Sequence, residues 1–364
     1  MKLFEYQVKE IFKQYDIPIP DGFVMDLNKK HNIEDIQYPT MIKSQLLIGS
    51  RYKKGAIKSA NNNAEFTNHI NNLKETNFSG KKVENVLIEK KIDIKEEHFI
   101  GITYDANKSC PVLLASKEGG INVEDHNIIK VSINILIGIK NYHIETILDY
   151  LEVNKNRSEY GKIIKNLYNI YRDYDANLVE INPLIIMSDD KGIMALDGKM
   201  TINENSLYRQ NFKIDKSHFD NELEYKAAKN NLNYVKLNGN IGVLCTGAGL
   251  TLATIDLIHH YGGKAANFLE FGGATYKKAS IALEIALGNP NVEVLLINTF
   301  GLVARADIIA EGLVKALEKI KPEVPIIVSI KGTGQSEAKK ILDKYNLESY
   351  PNIEKSVQAA VELV

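Results

Sequence analysis

The rhythm of hydrophobic positions changes once along this chain, near Asn240. Before that point apolar residues come in short runs of mixed period. In "EYQVKEIFKQY", Tyr6, Ile11, Phe12 and Tyr15 stand at helical spacing, and the two prolines of "DIPIPDG" forbid the helix from continuing. "YPTMIKSQLLIGSRYKKGAIKS" reads as strand, polar turn, strand. "NNNAEFTNHINNLKE" reads as a solvated asparagine loop leading into a helix, and "VENVLIEKKID", "HFIGITYDA" and "PVLLAS" as strands. The pattern predicts an α+β domain with a largely antiparallel sheet over residues 1–236.

Beyond it the chain alternates strictly. "IGVLCT", "AANFLEF", "VEVLLINTF" and "VPIIVSIKG" are near-continuous apolar strands, separated by the helical stretches "LTLATIDLIHHY", "KASIALEIAL" and "ADIIAEGLVKALEKI" and followed by "SEAKKILDKY". Strands of this kind belong to a parallel sheet covered on both faces, with ligands bound outside the strands' carboxyl ends. A second, α/β domain is therefore expected over residues 237–364, with the boundary near "LNYVKLNGN".

Bulk properties narrow the partners. A chain of 364 residues, 44% hydrophobic and 25% charged, fits a soluble protein of two or three domains. Its 45 basic and 46 acidic side chains leave a net charge of −1, which argues against nucleic acid or an anionic membrane as the main partner. Cys110 and Cys245 have no metal-ligand spacing and read as free thiols of a reducing compartment. The charged N-terminus is no signal peptide and no apolar run spans a bilayer, so a cytoplasmic location is expected.

Two stretches carry chemistry. In "VLCTGAGLTLATID" a strand meets a glycine turn and then a helix. A dinucleotide turn needs a third small residue, but Leu252 stands there, although Glu270 sits where a ribose-binding acid would. A helix N-terminus open to a phosphate or carboxylate requires less. In "NLVEINPLIIMSDDKGIMALDGKM" two apolar strands flank a turn and should form a hairpin. If the turn centres between Asp190 and Lys191, Asp197 lies opposite Leu184 and shares a face with Asn182 and Glu180. One carboxylate and one amide suit Mg²⁺, which takes its other ligands from water and phosphate. On spacing alone, two strand-end turns explain the same residues equally well.

"LVEINPL", "LDGK", "LNYVKLNGNIG", "GAGLTLATID", "HHYGGKAANFLEFGGA" and "FGLVARADIIAEG" follow one another in the order, and "LFEYQVKEIFKQYDIPIPDGF" matches the opening, of the β subunit of succinyl-CoA synthetase. The resemblance runs the length of the chain. It implies an ATP-grasp domain followed by a flavodoxin-like ligase domain, working with a separate α subunit in an αβ or α2β2 assembly. The α subunit carries a phosphorylated histidine and binds most of the CoA. ATP or GTP with Mg²⁺ would phosphorylate that histidine, and the phosphoryl group would pass to succinate before CoA displaces it. The resemblance assigns Lys43, Ser50, Arg51, Tyr52, Glu89, Ile92 and Glu97 to the nucleotide, and Asn182 and Asp197 to Mg²⁺. It assigns Glu180 to the phosphohistidine as the catalytic acid, and Thr246, Gly247, Gly249, Leu302, Val303, Ala304 and Arg305 to phosphate and acid substrate. His259 and His260 read as exposed rather than catalytic.

Three stretches depart from the family pattern. Ser50 and Tyr52 replace glycines of the phosphate loop, where a tyrosine must either point outward or block it. Thr246 replaces an asparagine and Leu302 a glycine, both on the acid-handling side. Another short acid of the malate type, and a nucleotide-poor structural or regulatory paralogue, therefore stay open beside succinate.

Overall fold

The computed structural model describes the chain except residues 30, 32–34, 79, 121–122, 124–125, 189–191, 211, 213–214, 220, 272–277, 302–304 and 348. It divides into two compact units, 1–213 and 214–364.

In the first unit α1 (Glu5–Gln14) precedes β1 (Gly22–Asp26), β2 (Thr40–Ser44) and β3 (Ile57–Ala60). Helix α2 (Asn63–Glu75), a short hairpin of β4 (Asn77–Phe78) and β5 (Lys81–Lys82), and β6 (Asn85–Lys90) follow. Strands β1, β6, β2 and β3 form one antiparallel sheet in that order. Ile42, Val86 and Ile88 of this sheet pack with Phe66 and Ile70 of α2. Side chains alternate along a strand, so Lys43 and Glu89 point to the opposite face.

The second sheet begins with β7 (Ile94–Asp105), β8 (Cys110–Ser116) and β9 (Ile129–Ser132). After α3 (Asn141–Tyr150) and α4 (Arg157–Asp173) it is completed by β10 (Ala176–Met187), β11 (Ile193–Ala195) and β12 (Gly198–Ile202). The order is β11-β10-β7-β8-β9 with β12 also on β10, and every pairing is antiparallel. Val179 and Ile181 of β10 enter a core with α1, α3 and α4, and the intervening Glu180 and Asn182 are only half-buried on the other face.

The hairpin register differs from the expected one by two residues. Leu184 faces Ala195, not Asp197, because the ladder closes on the Met187 N–H donating to the Gly192 carbonyl at 3.1 Å. Asp197 stands level with Asn182, whose N–H donates to the Asp197 carbonyl at 3.1 Å. An even shift keeps each side chain on its face, so Asn182 and Asp197 stay neighbours.

The second unit holds α5 (Glu222–Lys229), β13 (Asn233–Lys236), β14 (Ile241–Thr246), α6 (Ala248–His260), β15 (Asn267–Phe271) and α7 (Ala279–Leu287). Then come β16 (Val294–Gly301), α8 (Ala306–Ile320), β17 (Ile326–Gly332), α9 (Gln335–Asp343) and α10 (Ile353–Val361). The sheet order is β13-β15-β14-β16-β17, parallel except for β13. One face packs against α5, α7, α8 and α9 and the other against α6 and α10, which is why its strands read as continuous apolar runs. Residues 222–236, which the change of texture placed with the first domain, pack here: β13 pairs along β15, with Asn233 opposite Glu270. His259 and His260 are exposed in the last turn of α6. Among the described residues no helix is long and apolar enough to cross a membrane.

Candidate functional site

The polar face of the first sheet is covered by the start of α1. Lys43 from β2 and Glu89 from β6 meet Glu5 and Lys9, one turn apart on α1. Lys43 Nζ lies 2.9 Å from Glu5 and 2.8 Å from Glu89. Lys9 Nζ lies 3.0 Å from Glu5 and also pairs with Glu89. Both ammonium groups donate to the Leu196 carbonyl, at 2.7 Å from Lys9 and 2.5 Å from Lys43. Arg51 completes the cluster. Its Nη2 lies 2.6 Å from Glu5 Oε2 and 2.9 Å and 3.1 Å from the two Asp197 oxygens, and its Nη1 donates to the Ser44 carbonyl at 3.0 Å.

Three cations thus face three carboxylates in a largely buried space. Glu5 and Glu89 are 1% and 2% exposed, and Asp197 is 32% exposed. Charges survive such burial only when paired. Burial alone would raise the Glu5 carboxyl, but Lys43, Lys9 and Arg51 outweigh it and hold Glu5 well below the ordinary range. Burial opposes the charge of Lys43, and Glu5, Glu89 and Asp197 overcome it and push the group upward. Arg51 is raised in the same way, against burial, by Asp197 and Glu5. Asp197 moves the other way. Burial and the nearby Glu5 carboxylate raise it more than Arg51, Lys43 and Lys9 lower it. Its side chain is also the most open to solvent of the three acids.

The loop that delivers Arg51 keeps Gly55 at φ +73° and forms its turn with Ser50 and Tyr52. Ser50 takes the left-handed conformation at φ 55°, the Ala56 N–H closes on the Arg51 carbonyl at 2.9 Å, and Tyr52 points outward, 61% exposed. Tyr52 therefore does not fill the loop.

Asn182 and Glu97 meet a different partner, the Gly119-Gly120 turn. The Asn182 Oδ1 accepts the Gly120 N–H at 2.5 Å and its Nδ2 donates to the Gly120 carbonyl at 3.0 Å. Gly120 has φ +85°, and a Cβ at Gly119 would come within 2.7 Å of the His98 backbone carbonyl, so the turn needs both glycines. Glu180, two residues before Asn182, pairs with Lys199 at 3.2 Å. Ile92 is half-buried in the connection from β6 to β7.

Among the described residues no group of three or more His, Cys, Asp or Glu is placed to hold a metal ion. The donors present are one carboxylate, Asp197, and one amide, Asn182, joined through their backbones. That donor set fits Mg²⁺, which takes few protein ligands. A cationic guanidinium already sits against the Asp197 carboxylate.

In the second unit the strand order reverses between the parallel neighbours β14 and β16, the crevice where such sheets bind ligands. Thr246 ends β14 there, and its Oγ1 accepts the Phe300 N–H at 2.7 Å. Gly247 follows at φ +87°, turning the chain into α6, whose first turn has no side-chain cap. Ala248 and Gly249 are exposed, so the N–H groups of that turn face outward. Arg305 precedes α8 and grips Asp307 through two contacts of 3.0 Å. Leu302, Val303 and Ala304 lie outside the described residues.

Glu5, Lys9 and Gly120 were not legible as site residues. The one available signal lay in "EYQVKEIF", where Glu5 and Lys9 share a helix face with the buried Val8 and Phe12.

Residues 2–186 match the family model of an ATP-grasp domain, and residues 244–363 that of a CoA-ligase. The chain is 37% identical to the ADP-forming sulfoacetate–CoA ligase subunit SauC of Bilophila wadsworthia, over 100% of this chain and 99% of that one. It is equally similar, at 37%, to subunit SqwK of the same activity from Acholeplasma, over 100% and 92%. The succinate–CoA ligase [ADP-forming] subunit beta of Desulfotalea psychrophila is 36% identical over 95% of each chain. In fold the chain resembles the ATP citrate lyase of Methanothrix soehngenii, with a TM-score of 0.78, 20% identity and 99% of each chain covered.

Proposed function

This chain belongs to the ADP-forming succinate–CoA ligase β-subunit family, and from that premise we propose that it is the nucleotide-using subunit of an enzyme that joins a short anionic acid to coenzyme A. The observation that carries the reading is the convergence of Lys43, Arg51, Glu89 and Asp197 from separate strands and loops on one buried cluster. Such a site orders phosphates by fixed charge rather than by covalent chemistry.

In this reading Lys43 and Arg51 hold the phosphates of ATP, and Glu89 and Glu97 bound the nucleoside. Asp197 and Asn182 hold Mg²⁺, which supplies charge against the phosphate oxygens. The γ-phosphoryl group passes to a histidine of the α subunit, while Glu180 keeps the imidazole oriented. At the second unit the outward N–H groups at the start of α6 receive the phosphohistidine. Its phosphoryl group passes to the acid's carboxylate, and the CoA thiolate displaces phosphate to leave the thioester.

The relatives' names supply two acids, and both carry a carboxylate to activate and a second anionic group. Thr246 and Leu302 depart from the succinate-type pattern, which has asparagine and glycine there, and two full-length relatives are named for sulfoacetate, so sulfoacetate is the acid we favour. With the α subunit, ATP and CoA, sulfoacetate is expected to give the higher kcat/KM by roughly tenfold, the scale on which one pocket side chain discriminates. Equal or better turnover of succinate would return the substrate to succinate.

A further inference from the structure

Resting on the site read above, we propose that Glu5 is a positioning residue for metal–nucleotide binding: it is the second carboxylate that keeps Arg51 in the site, so that Asp197 can be given up to a divalent cation. Arg51 Nη2 lies between two acids, 2.6 Å from Glu5 and 2.9 Å from the nearer Asp197 oxygen. The two are not equivalent. Glu5 is 1% exposed and also held by Lys43 and Lys9, and Asp197 is 32% exposed. A cation arriving from solvent meets Asp197, not Glu5.

The charges set the direction of exchange. The cluster balances Lys9, Lys43 and Arg51 against Glu5, Glu89 and Asp197. A divalent ion on Asp197 repels the guanidinium, which keeps its bonds to Glu5 and to the Ser44 carbonyl. Held there, Arg51 faces the phosphates that arrive with the ion. Without Glu5, Arg51 settles on Asp197 and competes with the metal. Lys9, held between Glu5 and Glu89, keeps the pair of buried acids neutralised and leaves Lys43 and Arg51 to the ligand.

The test uses the full chain with its α subunit and reads Mn²⁺ binding at saturating ADP, from the paramagnetic resonance signal of free Mn²⁺. Glu5→Gln removes the acid. Glu5→Gln/Lys9→Met removes the α1 charges as a balanced pair, and it keeps the test valid if the single variant does not fold. The expected result is Mn²⁺ binding weakened by about tenfold in the folded double variant, the scale of one charge-assisted hydrogen bond. Adding Arg51→Gln to that variant should then recover most of the Mn²⁺ affinity, which a merely structural role for α1 would not produce. Unchanged Mn²⁺ binding in the folded double variant, or no recovery with Arg51→Gln, overturns the role of Glu5. Wild-type Mn²⁺ binding by Asp197→Asn overturns the metal site itself, on which the inference rests.

Discussion

Glu5 occupies a place on α1 that a simple amphipathic pattern would give to an apolar residue, and its charge is held by Lys43, Lys9 and Arg51. An acid and a lysine four residues apart look like an exposed helix pair, which is why the sequence hid them. Lys43 and Arg51 were legible only through resemblance, since isolated charges have no period, whereas the hairpin pattern had already pointed to Asp197. The Glu5 shift carries a sign. Its folded-state value lies below the ordinary 4.5, so its contribution to stability is present above that pH and is lost as pH falls through the folded value. Glu5→Gln leaves buried cations short of a partner and should destabilise the chain at pH 7 by about 3–5 kcal/mol. The gap between variant and wild type should then narrow as pH drops below 4.5. Urea unfolding at pH 7, 4 and 3 measures it; a gap that stays constant would mean that Glu5 is not held as an ion.

At the scale of elements, strands buried on both faces announced themselves and edges did not. The parallel strands of the second unit were readable as apolar runs, whereas β13, an edge strand with little but Tyr234 buried, carries almost no pattern. The metal hairpin was legible as a hairpin, but its register depended on where the turn closes, and apolar residues fill both strands whichever pairing is chosen. The asparagine run before α2 shows a finer miss. It reads as a loop, yet Asn62 is the helix cap, accepting the Glu65 N–H at 2.9 Å, and the Asn61 N–H donates to the Glu65 side chain at 2.9 Å. Asn62→Ala should cost about 1 kcal/mol. A lower urea midpoint with an unchanged slope would register that loss. No shift in the midpoint would show that α2 is held by Phe66, Ile70 and Leu73 alone.

At the scale of the molecule, two units divide the work expected of the family. The first gathers buried charge suited to a nucleotide, and the second opens a helix start and an arginine at the carboxyl ends of a parallel sheet. The glycine turn that first suggests a dinucleotide lies in the second unit, where Leu252, in the second turn of α6, is exposed rather than packed on the strand. That arrangement agrees with anion binding better than with the close packing a dinucleotide turn requires. The central claim is that the first unit uses nucleotide through Asp197. Its most direct test is a calorimetric titration of ADP, with and without Mg²⁺, into the full chain together with its α subunit, wild type against Asp197→Ala. The expected result is that Mg²⁺ strengthens ADP binding to the wild type, and that Asp197→Ala loses this gain while binding metal-free ADP at least as well. A variant whose ADP binding responds to Mg²⁺ as the wild type does would contradict the account.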